Sequence, residues 1–457
     1  MDYNEADIIV KYSHAISELA KITAANNNIA PEMYEKYEVM RGLRDKTGKG
    51  VLCGLTEISE VTSWETKDGA RVPIAGTLHY RGYDVKELVK NCISENRFGF
   101  EETVYLLLFG KLPNKNELRA FCEMLSEFRA LPKYFVRDIV MKSPAKDMMN
   151  MLARCVLNLY SYDPDPDNVS VTNVLRQSLQ LIAQLPLISA YSYRAYRYYN
   201  TDDGSLVIHK PVAEYSTAQN ILHILRKDTR FSDLEAKVLD VCLTLHADHG
   251  GGNASTFTTH LATSTGTDTY STTAASLGSL KGPKHGGANI MVMKMFQNIK
   301  ENVKKRTKDN VYDYVRKILD KKAFDRTGLV YGIGHAVYTV SDPRAEVLKF
   351  YAGKLAEEKG CEEDFELYEN VAKAASELIG KQKHINKPVN PNVDFYSGLV
   401  YSMLNLPEAL YTPLFAIARI AGWSAHRMEE LVCGGKIIRP AYECVQARRE
   451  YVPLNKR

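Results

Sequence analysis

Apolar residues recur at helical spacing along nearly the whole chain, and a single stretch breaks the pattern. In residues 6–24, Ile8, Ile9, Tyr12, Ile16, Leu19 and Ala20 share one helical stripe. From about residue 84 onward the same period dominates. Phe100–Gly110 reads as a buried helix stopped by glycine. Asn114 opens the next helix, with Glu117 as its capping-box partner. Residues 171–200 and 212–226 are again helical, and Tyr162–Asp167 is a loop. The exception is residues 51–80, where Val, Thr and Ile recur on either side of Lys67-Asp68-Gly69, a hairpin signal. Asn386–Asn392, with Pro388 and Pro391, is the clearest late break. The predicted fold is mainly α, with a small N-terminal β-hairpin.

At 457 residues the chain is too long for one small core, so two domains or one large split domain is expected. A formal net charge of +4 is small for this length and gives no case for nucleic acid. No run approaches 18 apolar residues, so no membrane span is expected. The acidic start, Met1-Asp2-Tyr3-Asn4-Glu5, resembles neither a secretory signal nor an Arg-rich transit peptide. The 8 cysteines are scattered without a C-x-x-C pair, which suits a reducing cytoplasm.

Three glycine-framed histidine stretches carry candidate chemistry. In Gly328–Arg344, Gly332 and Gly334 free the backbone before His335, and Asp342-Pro343 reads as the cap and first residue of a helix. Arg344 then falls in the first turn, where a cation opposes the helix dipole unless an anion shares the space. A buried histidine and a surface arginine fit the same residues equally well. In Gly282–Asn289, His285 precedes an apolar helix, Ile290–Ile299. The positive end of that helix disfavours imidazolium, so His285 is expected neutral, able to donate one hydrogen bond to a developing enolate. His246-Ala247-Asp248-His249 closes a third helix before Gly250-Gly251-Gly252. Its H-x-x-H pair invites a zinc reading, but the usual spacing and intervening Glu are absent, and a capped helix end explains it as well.

Asp394, in Asn392–Gly398, reads locally first as the cap of the helix containing Leu399, Val400 and Met403; its apolar and aromatic neighbours would also raise its pKa and suit it to act as a base. Arg419 shares a helical stripe with Phe415 and Trp423, and Arg439 lies in Ile437-Ile438-Arg439-Pro440. Buried arginines need anionic partners, and guanidinium pairs carboxylates bidentately, so Arg344, Arg419 and Arg439 suit a dicarboxylate. Between Lys281 and Lys322 roughly a dozen Lys and Arg stand against four acids. Such a run is usually a solvated face, and it also suits a phosphorylated cofactor.

Four ordered blocks, H-A-D-H…N-A-S-T, G-P-K-H-G-G-A-N, G-I-G-H-A-V…D-P-R and V-D-F-Y-S-G, together with Tyr80–Asp84 and Arg439-Pro440, resemble the citrate synthase family over most of the chain. The resemblance implies a two-domain helical homodimer: a large domain over 1–285 and 400–457, and a small domain over 286–399. It implies condensation of oxaloacetate with acetyl-CoA and water to give citrate and CoA, with no tightly bound cofactor and no metal, in a cytoplasmic enzyme. By the same likeness Asp394 removes a methyl proton, His285 stabilises the enol or enolate, and His335 protonates the oxaloacetate ketone. His249, His335, Arg344 and Arg419 hold oxaloacetate, with Arg439 donated by the partner subunit.

The sequence departs from the family pattern in places. Gly250 stands where a Glu often follows, Lys284 replaces a usually apolar residue, and Thr339-Val340 stand where many relatives carry a basic residue for the CoA phosphates. Lys284, Gly332 and Gly334 are the expected CoA contacts, with the basic 300–322 region as a further source of charge. Other readings are 2-methylcitrate synthase using propionyl-CoA, a catalytically silent family member, and a metallohydrolase built on His246 and His249.

Overall fold

Helix starts along the chain are written in local side chains. Asn114, Ser216 and Ser232 each accept a backbone N–H of the first helical turn, and Glu117, Gln219 and Glu235 return the bond to the cap. Each cap is worth ~1 kcal/mol and fixes where its helix begins. Gly110 ends the Phe100–Phe109 helix in the left-handed conformation (φ 74°). The computed structural model describes residues 5–45, 50–68, 70–201, 205–334, 337–338, 340–383 and 389–457.

The result is a mainly α protein with one small sheet. Strand β1 (Ser59–Lys67) pairs antiparallel with β2 (Ala70–Tyr80), in register from Ser59–Tyr80 to Lys67–Ala70, with a bulge between Thr62 and Trp64. The hairpin therefore forms where Asp68-Gly69 placed it, although Gly69 lies outside the described residues and the strand begins at 59 rather than near 51. A short β3 (Tyr83–Asp84), not anticipated, extends the sheet. Helices Glu5–Asn26, Val171–Asn200 and Ala288–Asn302 match the periodic segments, while the 212–226 segment becomes helical only at Thr217.

Two compact units are present: Met1–Gly54 with Arg439–Arg457, and Leu55–Ile438. The first carries the Glu5–Asn26 and Pro31–Lys36 helices, and most of its described apolar side chains are exposed. The second holds the core. There the Tyr411–Val432 helix is buried along most of its length and packs on helices Phe100–Phe109, Val171–Asn200, Asp233–His246 and Ala254–Ser264. Helices Ala288–Asn302, Lys308–Leu319, Pro343–Lys359, Glu362–Lys383 and Val393–Met403 pack chiefly on one another; Pro343–Lys359 also meets Asp233–His246. Among the described residues no helix is long and apolar enough to cross a membrane.

Candidate active site

Asp342 begins the Pro343–Lys359 helix, accepting the backbone N–H of Arg344 at 3.0 Å with Pro343 in the first helical position. The same carboxylate accepts from Arg344 Nε at 3.0 Å and from Nη2 at 2.8 Å, and both side chains are buried. Burial alone would lower the guanidinium pKa, but Asp342 overrides it and the net shift is upward. Arg344 is thus not on the surface; it stands in the site paired with Asp342. Asp342 Oδ2 also accepts the backbone N–H of Val393 at 3.1 Å. One carboxylate therefore joins Arg344 to the start of the helix that carries Asp394.

Asn392 caps that helix, its Oδ1 accepting the Asp394 N–H at 3.0 Å, so Asp394 is freed from the capping role and stands in the first turn. Burial pushes its carboxyl up to about 6, against the opposing pull of Arg344. The glycines of the preceding stretch secure this position. Gly332 has φ 78°, and a Cβ there would lie 2.9 Å from the Phe395 ring and from Val292. Its carbonyl accepts the Asn392 N–H at 2.8 Å, while Asn392 Nδ2 donates to the Gly334 carbonyl at 2.7 Å. Only a residue without a side chain allows so close an approach at positive φ. His335, Ala336 and Thr339 lie outside the described residues.

His285 occupies the turn before the Ala288–Asn302 helix, whose cap position is Gly287. Burial first, and Arg419 second, lower its pKa to about 4. It is neutral at pH 7 as expected, but desolvation rather than the helix end is the main cause. Its Nε2 lies 2.9 Å from Ser255 Oγ, which also receives Trp423 Nε1–H at 3.2 Å. Ser255 was not singled out from the sequence, although it is the serine of the N-A-S-T block.

Arg419 is buried on the Tyr411–Val432 helix; its Nε donates to the His246 carbonyl at 2.8 Å and its guanidinium lies over Phe415 at 4.7 Å. Burial lowers its pKa to about 10, opposed by Asp248, so it stays charged at pH 7. The anticipated stripe with Phe415 and Trp423 is real, with Trp423 turned to Ser255. His246 Nδ1 donates to the Cys242 carbonyl at 2.7 Å, and burial lowers its pKa to about 3. His249 sets its ring edge against Tyr338, centroids 5.5 Å apart. Asp248 accepts from Ser59, and its Oδ2 lies 3.2 Å from His426 Nε2. Burial would raise its pKa, but His426, Arg419 and Ser59 hold it below the usual carboxylate range. Gly422 permits this packing: its N–H donates to the Ala247 carbonyl at 3.1 Å, where a side chain would strike Asp248. Among the described residues His246 and His249 belong to no group of three possible metal ligands, so the metallohydrolase reading finds no support there.

Arg344, Arg419, Asp394, Asp342, Asp248 and His246 are linked electrostatically, and His285 joins through Arg419. Lys284 is exposed in the turn beside His285, and Arg439 is exposed in the unit that includes Met1–Gly54. The basic Lys281–Lys322 run is partly neutralised, Lys281 pairing with Asp147 at 2.6 Å and Lys300 with Asp364 at 2.7 Å.

A family profile described as "Citrate synthase, C-terminal domain" matches residues 43–441. The chain is 36% identical to a citrate synthase of Synechocystis over 84% of this chain and 88% of that protein. It is 32% identical to 2-methylcitrate synthase 1 of Corynebacterium glutamicum over 92% of this chain and 99% of that protein. The structure is similar to citrate synthase from Thermoplasma acidophilum, solved as a ternary complex with carboxymethyl coenzyme A and oxaloacetate, at TM-score 0.73 and 27% identity, covering 92% of this chain and 100% of that one. With the four sequence blocks converging on one buried electrostatic setting, the chain belongs to the citrate synthase family.

Proposed function

We propose that this acyltransferase condenses oxaloacetate with acetyl-CoA and water to give citrate and CoA. The observation that carries the reading is the pairing of opposite protonation behaviour around two buried arginines: a carboxyl raised to about 6 at Asp394 and an imidazole lowered to about 4 at His285. At neutral pH the first is an ionised base of enhanced strength and the second a neutral hydrogen-bond donor.

Arg344 and Arg419 bind the two carboxylates of oxaloacetate with His249, and Arg439 of the partner subunit completes the grip. Asp394 takes a proton from the thioester methyl group, and its electron pair moves onto the thioester oxygen. His285 donates to that oxygen. Ser255 has one hydroxyl proton and two acceptors in reach, His285 Nε2 at 2.9 Å and Asn253 Oδ1 at 3.0 Å. With the proton directed to Nε2, the ring hydrogen sits on Nδ1 and faces the enolate. One such donor is worth about 3 kcal/mol in the transition state. The enolate carbon attacks the ketone carbon, His335 protonates the resulting alkoxide, and water cleaves the citryl thioester. Residues 286–399 move as a small domain over the substrates and exclude water until condensation is complete. Lys284, Gly332 and Gly334 contact CoA. The arginines neutralise the substrate charge, so the reaction needs neither a metal nor a bound cofactor.

Thiol release from acetyl-CoA, with and without oxaloacetate, tests the reading. Release dependent on oxaloacetate in the wild type, and lost in Asp394→Ala, supports it; retained activity in the variant refutes the base. The 2-methylcitrate synthase relatives make propionyl-CoA the second substrate to compare. One methylene is worth only ~1–3 kcal/mol of discrimination, so both thioesters are assayed side by side.

A further inference from the structure

Behind the His246–Gly252 loop stands a second set of titratable side chains that the reaction does not use. His260, on the Ala254–Ser264 helix, and His426, on the Tyr411–Val432 helix, face each other with His260 Nε2 3.1 Å from His426 Nδ1. The outer nitrogen of each ring meets a carboxylate: His260 Nδ1 is 2.9 Å from Glu430 Oε2, and His426 Nε2 is 3.2 Å from Asp248 Oδ2. An ionised carboxylate only accepts, so each outer nitrogen carries its ring's hydrogen. In the neutral rings the two inner nitrogens are then bare lone pairs aimed at one another.

A third acceptor joins them. Glu429 Oε2 lies 3.8 Å from His426 Nδ1 and is buried without a hydrogen-bond partner, while its Oε1 accepts the Glu57 backbone N–H at 2.7 Å. The ligand atoms of His260, His426 and Glu429 all fall within 4.8 Å of one another. Thr56 Oγ1, at 3.5 Å from His426 Nδ1, stands at the cluster's edge. Three converging lone pairs repel unless a cation stands among them. Gly251 flanks the cluster without a side chain to cover it; the Cβ it lacks would lie 3.5 Å from His260 Nε2 and 3.9 Å from His426 Nδ1.

We infer that His260, His426 and Glu429 form a binding site for a divalent transition-metal ion of the zinc class. Two imidazole nitrogens and a carboxylate oxygen are a donor set for such an ion, and imidazole argues against calcium and magnesium. Nitrogens held about 2.0–2.1 Å from one tetrahedral ion stand roughly 3.3 Å apart, close to the spacing here. Asp248 and Glu430 occupy the places that outer carboxylates take behind metal-bound histidines, fixing tautomer and ring orientation. The ion ties the Ala254–Ser264 helix to the Tyr411–Val432 helix, as a structural clasp. A proton shared between the two imidazoles is the competing occupant.

Tag-free protein, stripped with a chelator and dialysed, is titrated with Zn2+ against a chromophoric competitor and with Co2+ by visible absorption. The expected result is one saturable equivalent per chain, with the intense Co2+ bands of a four- or five-coordinate site. His260→Gln and Glu429→Gln each abolish those bands and weaken zinc binding at least about tenfold, and Glu430→Gln weakens it about 10–100-fold. If His260→Gln does not fold, the near-isosteric Glu429→Gln decides. No saturable site in the wild type means that a proton holds the imidazoles together and overturns the assignment. So does a site that Glu429→Gln leaves unchanged, since the ion then binds elsewhere.

Discussion

Arg344 and Asp342 form a buried two-point pair, 3.0 and 2.8 Å, inside a single helix start. Asp342 is therefore cap, counter-ion and anchor for Val393 at once. Replacing it with Asn strands a buried guanidinium, a change that typically costs about 3–5 kcal/mol. Urea denaturation of Asp342→Asn should show a loss of that size. Oxaloacetate should stabilise the variant more than the wild type, because a substrate carboxylate replaces the missing charge. Equal thermal shifts in both proteins would show that Arg344 does not meet the substrate.

Asp394 links activity to stability. Its folded pKa of about 6 lies above the ordinary carboxyl value, so the folded state binds the proton more tightly than the unfolded chain does. The contribution to stability is greatest below pH 4, falls as pH rises through the window to about 6, and is absent above it. Asp394→Asn should thus be more stable than the wild type at pH 7, by roughly 2–3 kcal/mol, and no more stable at pH 4. The same variant should lose about 10²–10⁴-fold in kcat. Melting curves at the two pH values, with kinetics at pH 7.5, check both halves.

On the proposed mechanism Ser255 acts through His285, as a positioning residue. Ser255→Ala should lower kcat about tenfold while leaving the KM for oxaloacetate nearly unchanged, whereas His285→Ala, which removes the donor itself, should cost about 10²–10³-fold. Steady-state kinetics of both variants distinguish the roles. Ser255→Thr, which keeps the hydroxyl, should restore most of the rate.

Lys284 is exposed beside His285, and on the proposed mechanism it takes the place of the basic residue expected at Thr339-Val340. Lys284→Leu should raise the KM for acetyl-CoA several-fold, and the difference should shrink in 0.5 M salt, where exposed charges are screened. An unchanged KM removes Lys284 from the CoA grip.

The sequence made legible whatever depends on neighbours along the chain. The capping box at Asn114, the Gly110 stop, the Asp342-Pro343 helix start and the Lys67–Ala70 hairpin are all local signals, and all four stand in the structure. Asp394 was open between base and cap because both roles fit the same string. The choice fell to Asn392, a contest one residue pattern does not decide. The partners that set the chemistry were harder to read. Ser255 and Trp423 meet across 168 positions, and Asp248 and His426 across 178, so no local period joins them. The origin of the His285 shift was misjudged for the same reason. Burial is a property of the packed chain, whereas the helix end is visible in the string.

The hydrogen bond from Trp423 to Ser255 has an optical consequence. The chain has 2 tryptophans, and the other, Trp64, sits on β1. With Trp64→Phe in place, the remaining indole lies one hydroxyl away from His285, and its emission reports directly on the polarity of that turn. The protein carries its own lamp beside His285, and ligand arrival at that turn can be timed by stopped-flow fluorescence without attaching a dye.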